Sequence, residues 1–255
     1  MLAFLRRSSR QAALARPESC AIDGAHRRDL ARRGAGGHTA VMSGQLDYHA
    51  ITEAFTRFHA ADPEPKTELE YTNTFTLLVA VVLSAQATDV GVNKATRALF
   101  AVADTPEKMV ALGEERIREH VRSLGFFRNK ARNVFLLSKA LVESFGGRVP
   151  DSRAALAGLP GVGRKTANVV LNVAFGFPAQ PVDTHIFRVS NRTGIAPGKD
   201  PLAVERALED NVPVRFQRHS HHWLILHGRY ICKARKPRCA DCLIRDICLF
   251  EDKTA

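Results

Sequence analysis

LPGVGRKTANVVLNVAFG, residues 159–176, places two glycines directly after a proline and then a run in which Ala167, Val170, Leu171 and Ala174 recur at helical spacing. The preceding RAALAGL, residues 153–159, reads as a short helix. The chain therefore turns sharply around Gly161 and Gly163 and starts a second helix that Gly176 ends, a helix-hairpin-helix pattern. The two glycines admit backbone angles closed to other residues and leave N–H groups free at a helix start. Such a nest suits a phosphate. An ordinary turn between packed helices is the plainer reading of a bare G-x-G, but here the basic pair Arg164-Lys165 follows directly. A P-loop is excluded, because the four-residue gap before Gly-Lys is missing.

On the second helix the pattern puts Lys165, Asn168 and Asn172 on the face opposite the apolar one, at i, i+3 and i+7, so Lys165 is expected to point away from the core. A solvated surface lysine is the ordinary outcome. In the first helical turn, however, the positive helix end and Arg164 both favour the neutral amine, which is a nucleophile.

Outward from the hairpin, helical spacing recurs at Ile51, Ala54, Phe55 and Phe58, from Phe75 to Ser84, from Ala95 to Phe100 and from Val134 to Leu141. Strand alternation is nearly absent, and Pro and Gly punctuation at 63–65, 146–147, 160–161, 176–178 and 197–198 gives short loops. The class is all-α. The longest apolar run, Leu77 to Leu83, is far short of the roughly 20 residues that span a bilayer and reads as a buried helix.

The formal net charge of +11 and a pI near 9.9 point to a polyanionic partner. Eight arginines against three acids give residues 1–43 a charge of +5, so the remainder is still basic. Those first residues, rich in Arg, Ala, Ser and Gly, read as a disordered tail. Either it is an organellar transit peptide or translation begins at Met42 and the tail has no catalytic part.

Four of the five cysteines, Cys232, Cys239, Cys242 and Cys248, form C-x6-C-x2-C-x5-C. This clustering favours metal binding in a reducing compartment over disulfides. Zinc is one candidate. A single short C-x2-C pair, where four-cysteine zinc sites usually bring two, favours a [4Fe–4S] cluster. Between the first two cysteines stand Lys233, Arg235, Lys236 and Arg238, four cations in a loop pinned at both ends, which reads as a phosphate grip.

With these motifs, and with LLVAVVLSAQATDV, VNKAT, VDTHIFRVSNRTG and HHWLILHGRYIC, residues from about 46 to 250 resemble endonuclease III of the helix-hairpin-helix DNA glycosylase superfamily. The resemblance implies a bifunctional enzyme of base excision repair. It would remove oxidised pyrimidines from double-stranded DNA and cut the strand at the abasic site through an imine on Lys165. It implies Asp183 as the carboxylate partner, four cysteines holding a [4Fe–4S] cluster, and DNA contacts from Gln86, Phe126, Gly161, Gly163, Arg164, Lys233, Arg235, Lys236 and Arg238. Gln86 matches the residue that fills the gap left by a flipped nucleotide, and Phe126 stands where many relatives carry an aliphatic wedge. The implied fold is two helical domains flanking a DNA-binding cleft: a barrel over 67–177, and a cluster domain built from 44–66 and 178–255. The enzyme is expected to be a monomer in the cytoplasm and nucleoid, or in an organelle if the tail is a targeting signal. Asp183 also reads as the N-cap of a helix through Ile186 and Val189. His221, His222 and His227 read as packing residues around Trp223. The rival readings are a monofunctional adenine glycosylase, which would lack Lys165, and a noncatalytic iron–sulfur DNA-binding protein.

Overall fold

The computed structural model describes residues 44–255, and those residues hold ten α-helices and no strand. The expectations placed on residues 1–43 lie outside them. Among the described residues no helix is long and apolar enough to cross a membrane.

The first helix, α1 (Tyr48–Ala61), starts where Asp47 accepts the Ala50 N–H at 2.7 Å and buries Ile51, Ala54, Phe55 and Phe58, the stripe its spacing predicts. Helix α2 (Thr74–Leu83) is apolar on every side. It begins in a capping box between Asn73 and Thr76 and is buried from Phe75 to Leu83, as expected of a helix surrounded by others. Around it lie α3 (Asp89–Val102), α4 (Pro106–Val121), α5 (Phe127–Phe145), α6 (Arg153–Ala157) and α7 (Arg164–Phe175), and their apolar faces form one core from Leu69 to Ala179.

A second core is built from Leu46 to Phe58 together with Val182 to Ile244. It contains α1, α8 (Thr184–Thr193), α9 (Pro201–Asn211) and α10 (Val214–Tyr230). At its centre Phe55, Phe58, Phe216 and Trp223 interlock with ring centroids about 6 Å apart, and the Trp223 indole donates to the Asp62 carbonyl at 2.8 Å. Helix α10 approaches α8 closely because Gly228 has no side chain: a Cβ there would stand 2.9 Å from that of His185.

Helix α7 corrects one expectation. Ala167, Val170 and Leu171 are buried in the first core as predicted, and Lys165 is exposed, but Asn168 and Asn172 are buried as well. The Asn172 amide donates to the carbonyls of Phe177, Ala179 and Arg218 at 3.0–3.2 Å, and Asn168 donates to Glu205 of α9 at 3.1 Å. The polar stripe is therefore the seam between the two cores. It carries amides because buried carbonyls and a buried carboxylate need donors there.

Candidate active site and cluster centre

The hairpin between α6 and α7 is anchored by Val162, which is buried in the first core and donates to the Leu159 carbonyl. Gly161 has φ +77°, and a Cβ there would meet the Asn133 side chain at 2.9 Å, so backbone freedom and lack of bulk are both required. Gly163 caps α7 without any side-chain acceptor, and the first-turn N–H groups stay available. Arg164 is half exposed and grips Glu205 of α9 through a bidentate pair, with contacts of 2.7 and 3.1 Å. Its charge is thereby offset inside the protein.

Asp183 opens α8. Its Oδ1 accepts the backbone N–H groups of His185 and Ile186, both at 2.8 Å, and its Oδ2 lies 2.9 Å from His185 Nδ1. Burial pushes the carboxyl up. The Ile186 N–H, His185 and the nearby Lys165 ammonium outweigh it, so the net result lies below the ordinary aspartate value. Only 12% of the side chain is exposed. The exposed Lys165 at the start of α7 is thus one of the charges that act on the largely buried Asp183 carboxylate at the start of α8. His221 is buried close to both, and burial, followed by His222, drives it well below the ordinary histidine value.

Gln86, Phe126 and Lys236 are the only non-glycine residues with positive φ among the described residues, at 53°, 57° and 50°. Left-handed backbone is strained for a bulky L-residue and accumulates at functional sites, and all three belong to the DNA-contact set of the sequence analysis. Phe126 is 67% exposed and so is not a core residue. It joins Gln86, Asn129, Lys130, Asn133 and Gly161 around one cavity. Sequence reasoning passed over Lys130 and Asn133. Lys130 is buried with no hydrogen-bond partner for its Nζ, and burial lowers its pKa. The available signal was its place one turn after Phe126 at the start of α5.

All four C-terminal cysteines are partly buried, on the segment that follows α10, and none is in a disulfide. Burial raises Cys242 to about 11 and also raises Cys248, and the other thiols of the group add to both shifts. The C-x6-C-x2-C-x5-C spacing supplies four thiolates, the ligand set of an iron–sulfur cluster. Arg192 braces this segment: its guanidinium donates to the carbonyls of Lys233 at 2.7 Å and Ala234 at 3.0 Å and stacks on Phe250. Lys233, Arg235, Lys236 and Arg238 are exposed, and Arg238 pairs with Asp241 at 2.7 Å.

Residues 79–214 match the HhH-GPD superfamily of base excision DNA repair proteins, and residues 232–248 match the iron–sulfur binding domain of endonuclease III. The helical fold, the hairpin and the four-cysteine segment thus define a base excision DNA repair protein with an iron–sulfur cluster. Over 203 residues the chain is 55% identical to endonuclease III of Treponema pallidum (strain Nichols), covering 80% of this chain and 96% of that protein. With endonuclease III of Escherichia coli (strain K12) it shares 54% over 201 residues, covering 79% and 95%. A solved structure of a trapped endonuclease III–DNA covalent intermediate, an estranged-adenine complex, superposes with a TM-score of 0.75 at 44% identity, covering 80% of this chain and 96% of that one. The chain belongs to the endonuclease III family.

Proposed function

We propose that this protein binds double-stranded DNA, excises damaged pyrimidines as an N-glycosylase and nicks the resulting abasic site as a lyase. The observation that carries this reading is the pairing, in a chain of the endonuclease III family, of exposed Lys165 at the start of α7 with the largely buried Asp183 carboxylate that caps α8 and that Lys165 helps to keep ionised. A base inside a duplex is out of reach, so the nucleotide must first rotate out, at a cost of a few kcal/mol that is lowest for poorly paired lesions. Gln86 and Phe126, exposed on strained turns, are suited to occupy the space it leaves. The Lys165 amine then attacks the sugar C1′ and the base departs with its bonding electrons, taking up a proton. Asp183 stabilises the positive charge on the sugar and assists proton movement. The C1′–O4′ bond then breaks, O4′ taking up the proton that the nitrogen loses, and the resulting imine acidifies C2′; loss of that C2′ proton expels the 3′-phosphate by β-elimination.

The Gly161–Gly163 turn and the loop bearing Lys233, Arg235, Lys236 and Arg238 serve as phosphate contacts in this reading. Cys232, Cys239, Cys242 and Cys248 would hold the cluster, which would fix both ends of that loop. The two hydrophobic cores support a division into a barrel over 67–177 and a cluster domain from 44–66 and 178–255, acting as a monomer on nucleoid DNA. The test is a panel of duplexes carrying thymine glycol, uracil or an abasic site. Base release and strand cleavage on the first, and cleavage on the third, are expected. Binding with neither reaction would favour a noncatalytic DNA-binding role.

A further inference from the structure

The two proposed catalytic side chains belong to different cores. Lys165 rides on α7, whose Ala167, Val170 and Leu171 pack in the first core. Asp183 caps α8, whose Ile186 and Val189 pack in the second. Their separation is therefore governed by whatever ties α7 across the seam.

The strongest tie is Glu205 on α9. Val204 and Leu208 bury α9 in the second core, and the Glu205 side chain is only 6% exposed. A buried carboxylate is strongly destabilising unless charged and hydrogen-bonding partners compensate it. Here all of the compensation comes from α7: a bidentate Arg164 at 2.7–3.1 Å and the Asn168 amide at 3.1 Å. These donors stand four residues apart on one helix, with Lys165 next to the first. A fork on a carboxylate fixes orientation as well as distance. One turn further along α9, Glu209 lies 3.9 Å from Arg153 of α6, a partly exposed pair that adds little to the tie.

We propose that Glu205 is a positioning residue for the reaction: through Arg164 and Asn168 it sets the first turn of α7 against the second core and thereby aims Lys165 relative to Asp183. Arg164, which the sequence alone offers as a phosphate contact, works in this account chiefly within the protein. The inference rests on the assignment of Lys165 and Asp183 to catalysis.

The test uses the full chain with its cluster and compares Glu205→Gln, Arg164→Lys, Arg164→Gln and the Glu205→Gln/Arg164→Lys double variant. The readouts are single-turnover excision from a thymine-glycol duplex, borohydride trapping, affinity for a duplex with a non-cleavable abasic analogue across a salt series, and thermal unfolding. Misaiming by an ångström costs on the order of 100-fold, so Glu205→Gln and Arg164→Lys are each expected to slow excision at saturating enzyme by about 10- to 100-fold with affinity and salt slope nearly unchanged. The double variant is expected to be no slower than the slower single one, since both break one tie. Arg164→Gln strands a buried carboxylate and risks unfolding; Arg164→Lys, which keeps the charge but not the fork, decides the matter in that case. Wild-type excision by both Glu205→Gln and Arg164→Lys would overturn the proposal. So would an Arg164→Gln variant that folds, turns over normally when saturated, and loses affinity for every duplex with a salt slope lowered by about one, the mark of a phosphate contact. Lys165→Gln is run alongside. If it still traps DNA, the catalytic assignment itself has failed; if it is inert while Glu205→Gln and Arg164→Lys are normal, only the positioning role has.

Discussion

Asp183 accepts the backbone N–H of Ile186 at 2.8 Å, so the carboxylate proposed to face the reacting sugar is also the N-cap of α8. The two roles separate by substitution. Asparagine keeps a capping oxygen, and Asp183→Asn should hold its stability to within about 1 kcal/mol while excision falls by orders of magnitude; Asp183→Ala loses the cap as well, at a further cost of about 1 kcal/mol. The carboxyl lies below its ordinary value despite burial, because the Ile186 N–H, His185 and Lys165 favour the anion. Its contribution is thus present above the unfolded aspartate value of about 3.9 and is lost as pH falls through the lower folded value. Thermal melts of the two variants and the parent check this, and an Asp183→Asn enzyme with parental excision would leave the residue with capping alone.

His222 should make the fold acid-sensitive at milder pH. It is buried, and burial, then His219, lowers it to about 4, with Asp62 opposing. A depressed histidine stabilises the fold above the unfolded value of about 6.5 and progressively ceases to as pH drops toward about 4, by as much as about 3 kcal/mol. Denaturant melts between pH 7 and 4.5 should show this loss, and His222→Gln should remove part of it, the rest belonging to the buried and likewise lowered His221 and His227. A parental slope in the variant would assign the sensitivity to other groups.

The Gly161 turn is predicted to tolerate no side chain. Gly161→Ala combines a left-handed backbone with a Cβ 2.9 Å from Asn133, and should destabilise by roughly 1–3 kcal/mol and weaken binding to damaged and undamaged duplexes alike. Adding Asn133→Ala removes the amide side of the clash but leaves the residue-133 Cβ 2.9 Å away and the backbone strain untouched, so only part of the stability should return. Full recovery would show that sterics alone dictate glycine here.

How far the sequence carries is visible residue by residue. The buried stripe of α1, the Gly176 end of α7 and the exposure of Lys165 follow from spacing and local backbone preference, which act over a single turn. Asn168 and Asn172 mislead because a polar face toward another core has the same pattern as one toward water. The Arg164–Glu205 pair joins residues 41 positions apart, and no periodicity encodes such a partner. Helix α4 has no regular apolar stripe to announce it and is broken in φ/ψ at Gly113, so it emerges only when packed beside α5.

Purified protein should be yellow-brown and carry about four irons per chain, as four-thiolate clusters of this kind do. Replacing Cys239 should release iron and loosen the cationic loop, whose two ends its ligands fix. Lys236→Ala should weaken all duplexes equally and lower the salt slope by about one unit. Stoichiometric zinc in anaerobically prepared protein would refute the cluster, and a lesion-specific effect of Lys236→Ala would refute its phosphate role.

Lys165→Gln tests the covalent step itself. Lys165 is exposed at the first turn of α7, so glutamine should be accommodated without loss of stability, and it preserves length and polarity while removing the nucleophile. Mixed with thymine-glycol or abasic duplex and reduced with borohydride, the variant should give no trapped complex on a denaturing gel. Base release and nicking should both collapse, because in this mechanism one amine both displaces the base and forms the imine that permits elimination. Binding should survive, since the phosphate contacts lie on the hairpin turn and the cysteine loop. Asp183→Asn, by contrast, keeps the amine and should still trap, slowly, on abasic DNA, where no base remains to be expelled. That asymmetry separates the nucleophile from the residue that assists it, and a normal adduct from Lys165→Gln would move the chemistry to another amine.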